Sequence, residues 1–182
     1  MNAVTKLSNA DTALLGLLCE EPMHPWQIEK VVRERDMRLW TDLSQATIYK
    51  QLSLLLKTGL VECRQKIGRG RLRKIYTITR LGRERLLGKL RELLSEPQPT
   101  KWPVDLGTYN LHLLPAGEAV ASLKRYRKKL EEGIACYRRL IEYLESCQCR
   151  ANRCALARRP IYLFKAEICW VDDLVEQLRR KP

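Results

Sequence analysis

The feature that most constrains the fold is a change in the spacing of apolar residues at Gly59. Before Gly59, apolar side chains recur at the interval of one helical face, namely Ile48, Leu52, Leu55 and Leu56. After it, residues 60–67 and 72–79 have strand composition, and the glycine-rich turn 68–71 separates them. The sequence therefore predicts a helix that leads at once into a β-hairpin, with Gly59 in the left-handed position that ends the helix.

Further helices are predicted on both sides of this segment. Ser8 suits the cap of the first helix, Pro25 the first turn of the second, and Ser44 and Thr79 the caps of the third and fourth. In the first helix the residues expected to be buried are Leu14, Leu15, Leu17 and Leu18, and in the second they are Trp26, Ile28, Val31 and Val32. In the fourth helix they are Leu86, Leu87, Leu90, Leu93 and Leu94. Three helices followed by a hairpin predict a winged helix-turn-helix domain, so the expected fold class is mainly α with a small two-stranded β wing.

Prolines at 97, 99 and 103 interrupt the helical pattern. We therefore expect a winged-helix domain over residues 1–96, a linker over 97–114 and a helical domain over 115–182. Two long helices are predicted in the helical domain, over 115–146 and 161–180, and each carries an apolar seam. The seam of the first helix, interrupted by Arg127, consists of Val120, Leu123, Leu130, Ile134, Tyr137, Ile141 and Leu144. The seam of the second consists of Ile161, Phe164, Ile168, Val171, Val175 and Leu178. We expect these seams to meet across a dimer axis, with pairing inside one chain as the alternative.

The charge balance favours a polyanionic partner. The chain has 34 Lys and Arg against 21 Asp and Glu, a net charge of +13. The excess is densest from Arg64 to Arg91, where 11 basic residues accompany a single acid, Glu84. No apolar run is long enough to cross a membrane and no export leader is visible, so we expect a cytoplasmic protein with reduced thiols at its seven cysteines.

The third helix and the hairpin together predict a DNA-binding surface. A helix fits the major groove, and short side chains on its exposed face permit close approach to base edges, while a cationic hairpin neutralises the flanking phosphates. The predicted contact residues are Ser44, Gln45, Ala46, Thr47, Tyr49, Lys50, Ser53 and Lys57 in the helix, and Arg69, Arg71, Arg73 and Lys74 in the hairpin.

Two stretches resemble the PadR family of bacterial repressors. Residues 44–49, with the following Leu52, Leu55 and residues 57–61, resemble the recognition helix of that family, and residues 70–79 with Leu81 and Gly82 resemble its wing and the next helix. Residues 166–170 are similar to a late helical motif of the family. Lys50 departs from the pattern, because the family usually has proline there, so the operator sequence of the family does not carry over.

The resemblance implies a dimeric regulator, generally a repressor, that binds double-stranded DNA at a pseudo-palindromic operator and responds to a small aromatic or lipophilic effector. Trp170 and Glu167 are the candidate effector contacts, since an indole offers a broad apolar face to an aromatic ligand.

Two alternatives to this interpretation remain open. A winged-helix adaptor would use the basic surface to bind an acidic protein. A redox or metal sensor would use Cys147, Cys149 and Cys154, although their spacing is not that of a zinc site. His24 and His112 stand apart from other ligands and are expected to be structural or exposed, and no catalytic motif favours an enzyme, a cofactor or a metal site.

Overall fold

The computed structural model describes residues 6–68, 71–97 and 99–180. The chain divides into an N-terminal unit, residues 1–99, and a C-terminal unit, residues 100–182. The elements in chain order are α1 (Asn9–Glu20), α2 (Pro25–Glu34), a 3-10 turn (Met37–Leu39), α3 (Gln45–Lys57), β1 (Val61–Gly68), β2 (Arg71–Ile78), α4 (Arg80–Ser95), α5 (Pro103–Tyr109), a second 3-10 turn (Leu111–Leu113), α6 (Ala116–Ser146) and α7 (Ala151–Arg180). The predicted fold class, mainly helical with a two-stranded wing, is confirmed. The segment predicted as a linker contains α5 and the second 3-10 turn.

Local capping sets where the helices of the N-terminal unit begin. Ser8 and Asp11 form a capping box at α1, and the side chain of Thr79 accepts from the backbone N–H of Gly82 at α4. Gly59 ends α3 with a φ of 70°, the left-handed conformation predicted for it. These caps act over three residues or fewer, which is why the sequence predicted them.

The core of the N-terminal unit lies among α1, α2, α3 and the base of the hairpin. Its fully buried side chains, each exposed by less than 2%, are Leu14, Leu15, Met23, Ile28, Val32, Leu43, Ile48, Leu52 and Val61. The predicted inward positions of α1 and most of those of α2 and α3 are therefore confirmed.

Several leucines and one tryptophan predicted to be buried are exposed, and those predictions were wrong. Trp26 is 62% exposed because it lies about 200° round α2 from the inward-facing Ile28. Leu56 is 40% exposed beside the buried Leu55. On α4, Leu87, Leu90 and Leu94 face outward, while Leu86 is buried.

The hairpin of β1 and β2 is antiparallel, and Val61 pairs with Ile78 at its base and Lys66 with Arg73 further out. Met23, just before α2, exchanges two backbone hydrogen bonds of 3.0 and 2.9 Å with Tyr76 of β2. This bridge fixes the base of the hairpin against the start of α2.

In the C-terminal unit, α6 and α7 pack antiparallel within one chain. The ring of Phe164 lies edge-on to that of Tyr137, with centroids 6.0 Å apart, and Leu123 shares a cluster with Val171 and Val175. Arg127, which interrupts the α6 seam, binds Asp172 of α7 at 2.8 Å. The expectation that the two seams meet across a dimer axis is thus corrected, because the two helices bury these residues against each other.

Helix α7 begins at Ala151, ten residues before the predicted start, and includes Pro160. Proline removes one helical hydrogen bond and crowds the preceding turn. The turns around it bury Cys154 and Ala157, each 6% exposed, which favours continuing the helix. In the part of the chain that the structure describes, no helix has both the length and the apolar character to cross a membrane.

Candidate DNA-binding surface

The first turn of α3 is closed by Ser44. Its Oγ accepts from the backbone N–H of Thr47 at 3.1 Å and hydrogen-bonds with the hydroxyl of Thr47 at 2.8 Å. Both hydroxyls belong to the N-terminal end of α3, where the unpaired backbone N–H groups create a positive potential. This end of the helix therefore suits a nearby anion.

One continuous face of α3 is exposed. Its members follow the helical interval opposite the buried Ile48, Leu52 and Leu55: Ala46, Tyr49, Lys50, Ser53 and Lys57. Gln45 is also exposed in the first turn, Thr47 is half-buried, and α3 contains no acidic residue. The face is small at Ala46 and Ser53 and cationic at both lysines, so it can approach a polyanion closely.

The wing places two of its four predicted contact residues on the surface. Arg73 and Lys74 are exposed neighbours on β2. Arg69 lies outside the described residues, as does the side chain of Arg71. Within the described part of the wing, Arg64 of β1 adds an exposed guanidinium that lies 3.4 Å from Glu62.

His24 caps α2, a role that sequence reasoning missed. Its Nδ1 accepts from the backbone N–H of Trp26 at 3.0 Å, and its own backbone N–H donates to Gln27 at 2.8 Å. Burial and the nearby positive charge of Arg73 lower the pKa of His24 below its usual value. The position directly before Pro25 was the available sequence signal, because Pro25 marks the first turn of a helix and the residue before it is the cap.

The two candidate effector residues lie on α7 of the C-terminal unit. The hydroxyl of Tyr126 donates to the carboxylate of half-buried Glu167, and Trp170 packs against the cluster around Val171. Burial, followed by the hydrogen bond to Glu167, raises the pKa of Tyr126 to about 12. Two grooves in this unit, of about 550 and 400 Å³, are lined by residues other than Trp170 and Glu167.

The remaining candidates form no metal site among the described residues, where no group of three or more Cys, His, Asp or Glu is arranged to hold an ion. All seven cysteines are unpaired thiols. His112 lines the smaller groove beside Tyr109 and Leu114.

The capped α3, its exposed cationic face and the adjoining hairpin define a winged-helix protein. Residues 14–87 match the family model described as the transcriptional regulator PadR-like family. The resemblance drawn from the sequence is confirmed over residues 14–87, which match this family of transcriptional regulators. No curated protein matches the chain.

Solved structures of low sequence identity share the fold over nearly the whole chain. Bacillus subtilis PadR in complex with operator DNA has a TM-score of 0.72 and 20% identity, and the match covers 94% of this chain and 98% of that one. The same protein in complex with p-coumaric acid has a TM-score of 0.71 and 18% identity, and the match covers 93% of this chain and 98% of that one. The Vibrio cholerae virulence activator AphA has a TM-score of 0.66 and 18% identity, and the match covers 96% of this chain and 100% of that one. The likeness therefore includes the long C-terminal helices.

Proposed function

We propose that this chain is a cytoplasmic, sequence-specific DNA-binding regulator, a repressor, whose α3 enters the major groove. The observation that carries the proposal is the exposed face of α3, which has no acidic residue, is small at Ala46 and Ser53, and is cationic at Lys50 and Lys57. Such a face allows the helix backbone to approach base edges while the lysines meet bases or phosphates.

The roles divide between helix and wing. Gln45, Thr47, Tyr49 and Lys50 face base edges, and Ser44 holds the end of the helix against the backbone. Lys50 sets base preference, because it stands where the family usually has proline. Phosphate contacts come from the wing residues Arg69, Arg71, Arg73 and Lys74.

The regulator acts as a homodimer on a pseudo-palindromic operator, with two copies of α3 in successive major grooves about 34–36 Å apart. Apolar side chains that α5 and the following turn leave exposed in the single chain support a dimer: Leu106 at 71%, Tyr109 at 82% and Leu113 at 71%. Sedimentation analysis of the wild type and of Leu113→Arg tests this. A wild-type protein that stays monomeric at micromolar concentration would contradict the dimer.

A small aromatic or lipophilic effector controls DNA affinity through the C-terminal unit. Trp170 offers an aromatic face and Glu167 a hydrogen-bonding group already held by Tyr126. The complex of Bacillus subtilis PadR with p-coumaric acid supports an aromatic acid as the first compound to test. If saturating p-coumaric acid leaves both tryptophan fluorescence and DNA affinity unchanged, that compound is excluded as the effector.

The decisive experiment measures binding to DNA from upstream of its own gene and to a random duplex of equal length, across a salt series. The proposal expects tighter binding to the upstream DNA and a steep fall in affinity with salt. Lys50→Ala changes the ranking of operator variants, while Lys6→Ala, at an exposed lysine that binds Glu92, is the matched control. Equal binding to both duplexes would favour an adaptor that recognises an acidic protein.

A further inference from the structure

The turn between α6 and α7 holds two thiols around a left-handed residue. Gln148 has a φ of 51°, and its N–H donates to the carbonyl of Glu145 at 3.0 Å. The N–H of Cys149 donates to the carbonyl of Leu144, also at 3.0 Å. These two bonds form a Schellman motif, in which Cys147 is the helix cap and Gln148 occupies the position that glycine usually fills.

This conformation sets the separation of Cys147 and Cys149. A residue in a helical conformation of either hand brings the Cα atoms on its two sides to about 5.4 Å. Disulfides commonly span Cα separations of about 4.4 to 6.8 Å. The backbone of the turn therefore already has the separation that a bond between the two sulfurs requires.

The surroundings distinguish the two thiols. Cys147 is exposed, Cys149 is half-buried and the next thiol, Cys154, is only 6% exposed. The side chain of Cys147 lies near two hydroxyl-bearing residues: Ser146 Oγ is 4.0 Å from its sulfur, and Cys147 influences the pKa of Tyr143. Interaction with Cys147, the largest influence, raises the pKa of the Tyr143 phenol.

We propose that Cys147 and Cys149 form a modification site for low-molecular-weight disulfides, at which Cys147 is attacked first and Cys149 closes an intramolecular disulfide. Exposure makes Cys147 the thiol that the oxidant reaches. The left-handed turn then holds Cys149 close enough to react with it. The proposal is independent of DNA binding.

The reaction balances in two exchanges. The Cys147 thiolate attacks one sulfur of the small disulfide, breaks its S–S bond and releases one small thiolate. The Cys149 thiolate then attacks Sγ of Cys147, the mixed disulfide breaks, and a second small thiolate leaves. Two electrons pass from the protein to the small disulfide, and the two thiol protons are released to solvent or to the leaving thiolates. A small dithiol reductant reverses both steps.

Tryptic mapping after treatment with glutathione disulfide tests the site. Trypsin cuts after Arg139, Arg150 and Arg153, so Cys147 and Cys149 share the peptide 140–150, while Cys154 begins the peptide 154–158. A ring between Cys147 and Cys149 appears as peptide 140–150 lighter by two hydrogen masses and unable to take up a thiol-blocking reagent. Dithiothreitol restores the starting mass. A bond to Cys154, a cross-link between chains, or glutathione retained on Cys147 of the wild type would each overturn the proposal.

Substitutions separate the turn from general thiol reactivity. Cys149→Ser keeps glutathione on Cys147, whereas the exposed thiols Cys136 and Cys169 give only single adducts in the wild type. Gln148→Gly preserves the left-handed position and closes the ring. Gln148→Pro cannot adopt that position and lacks the N–H that donates to Glu145, so the turn opens toward an extended backbone and the ring closes about tenfold more slowly. Circular dichroism establishes that both variants are folded. Equal closing rates in Gln148→Gly and Gln148→Pro would remove the geometric basis of the proposal.

Discussion

Gly82, in the first turn of α4, lies directly over the backbone carbonyl of Leu60, so that a Cβ placed on Gly82 would stand 2.0 Å from that oxygen. Thr79, the cap of α4, donates from its hydroxyl to the carbonyl of Gly59 at 2.8 Å. The end of α3, the base of the wing and the start of α4 are thus packed at backbone distance. This junction fixes the wing relative to the exposed face of α3.

Gly82→Ala should therefore destabilise the protein, because the backbone of Leu60 cannot move aside as a flexible side chain can. We expect a loss of about 2 kcal/mol in the free energy of unfolding, measured by urea denaturation. Gly88→Ala in the same helix is the control, since nothing lies within 4 Å of its Cβ, and it should gain about 1 kcal/mol. Similar effects of the two substitutions would refute the close packing at Gly82.

The cap of α2 should make stability depend on pH. The pKa of His24 is lowered in the folded state, chiefly by burial and then by Arg73, and its unprotonated Nδ1 accepts from Trp26. The folded state therefore favours neutral His24. Its contribution to the free energy of unfolding is fully present above pH 6.5, the pKa of the unfolded state, and is lost as the pH falls through the lower pKa of the folded state. His24→Asn, which caps without titrating, should show a smaller fall in unfolding free energy between about pH 7.5 and about pH 5. An unchanged fall would assign the acid sensitivity to other groups.

The loss of stability at alkaline pH should depend on Tyr126. Burial and Glu167 raise its pKa from 10.0 to about 12, so the neutral phenol is favoured in the folded state. This stabilisation is complete below pH 10 and declines as the pH rises toward 12. Tyr126→Phe should lessen the alkaline loss of stability, and the titration of this phenol, followed by absorbance, should disappear. The control Tyr162→Phe, at a tyrosine 72% exposed, should leave the alkaline profile as it is.

Residues of the wing should contribute to the salt dependence of DNA binding. Removing one phosphate contact with Arg73→Ala should weaken binding to specific and random duplexes alike and lower the slope of log K against log salt by about one. Fluorescence anisotropy over a salt series provides the measurement, with Lys6→Ala as the matched loss of an exposed cation. A slope equal to that of the wild type removes Arg73 from the phosphate contacts.

The features predicted correctly from the sequence are those in which cause and effect lie a few residues apart. Ser8 and Ser44 cap helices through bonds to residues three positions on, and Gly59 adopts its left-handed φ because the helix ends there. The exposed face of α3 was also predictable, because it depends on the spacing of residues within one helix. Its spacing leaves Lys50 and Ser53 opposite the buried Leu52 and Leu55.

Helix α4 shows why the remaining predictions failed. Its sequence carries two neighbouring stripes, one with Gly82, Leu86 and Lys89 and the other with Leu87, Leu90 and Leu94. The second stripe is the more apolar, yet the first is buried, and Lys89 binds Glu92 at 2.6 Å there. Close approach at Gly82 selects the first stripe, and that approach depends on Leu60, a residue of the preceding hairpin.

Periodicity and capping act along the chain, so the order of elements, the caps, the turn after α3 and the cationic face of α3 could be predicted from the sequence. The tertiary structure decided which stripe of α4 is covered, that α7 continues through Pro160, and that the seams of α6 and α7 meet within one chain. A side chain is buried only by what lies opposite it, and the opposing surface is brought there by residues distant in sequence.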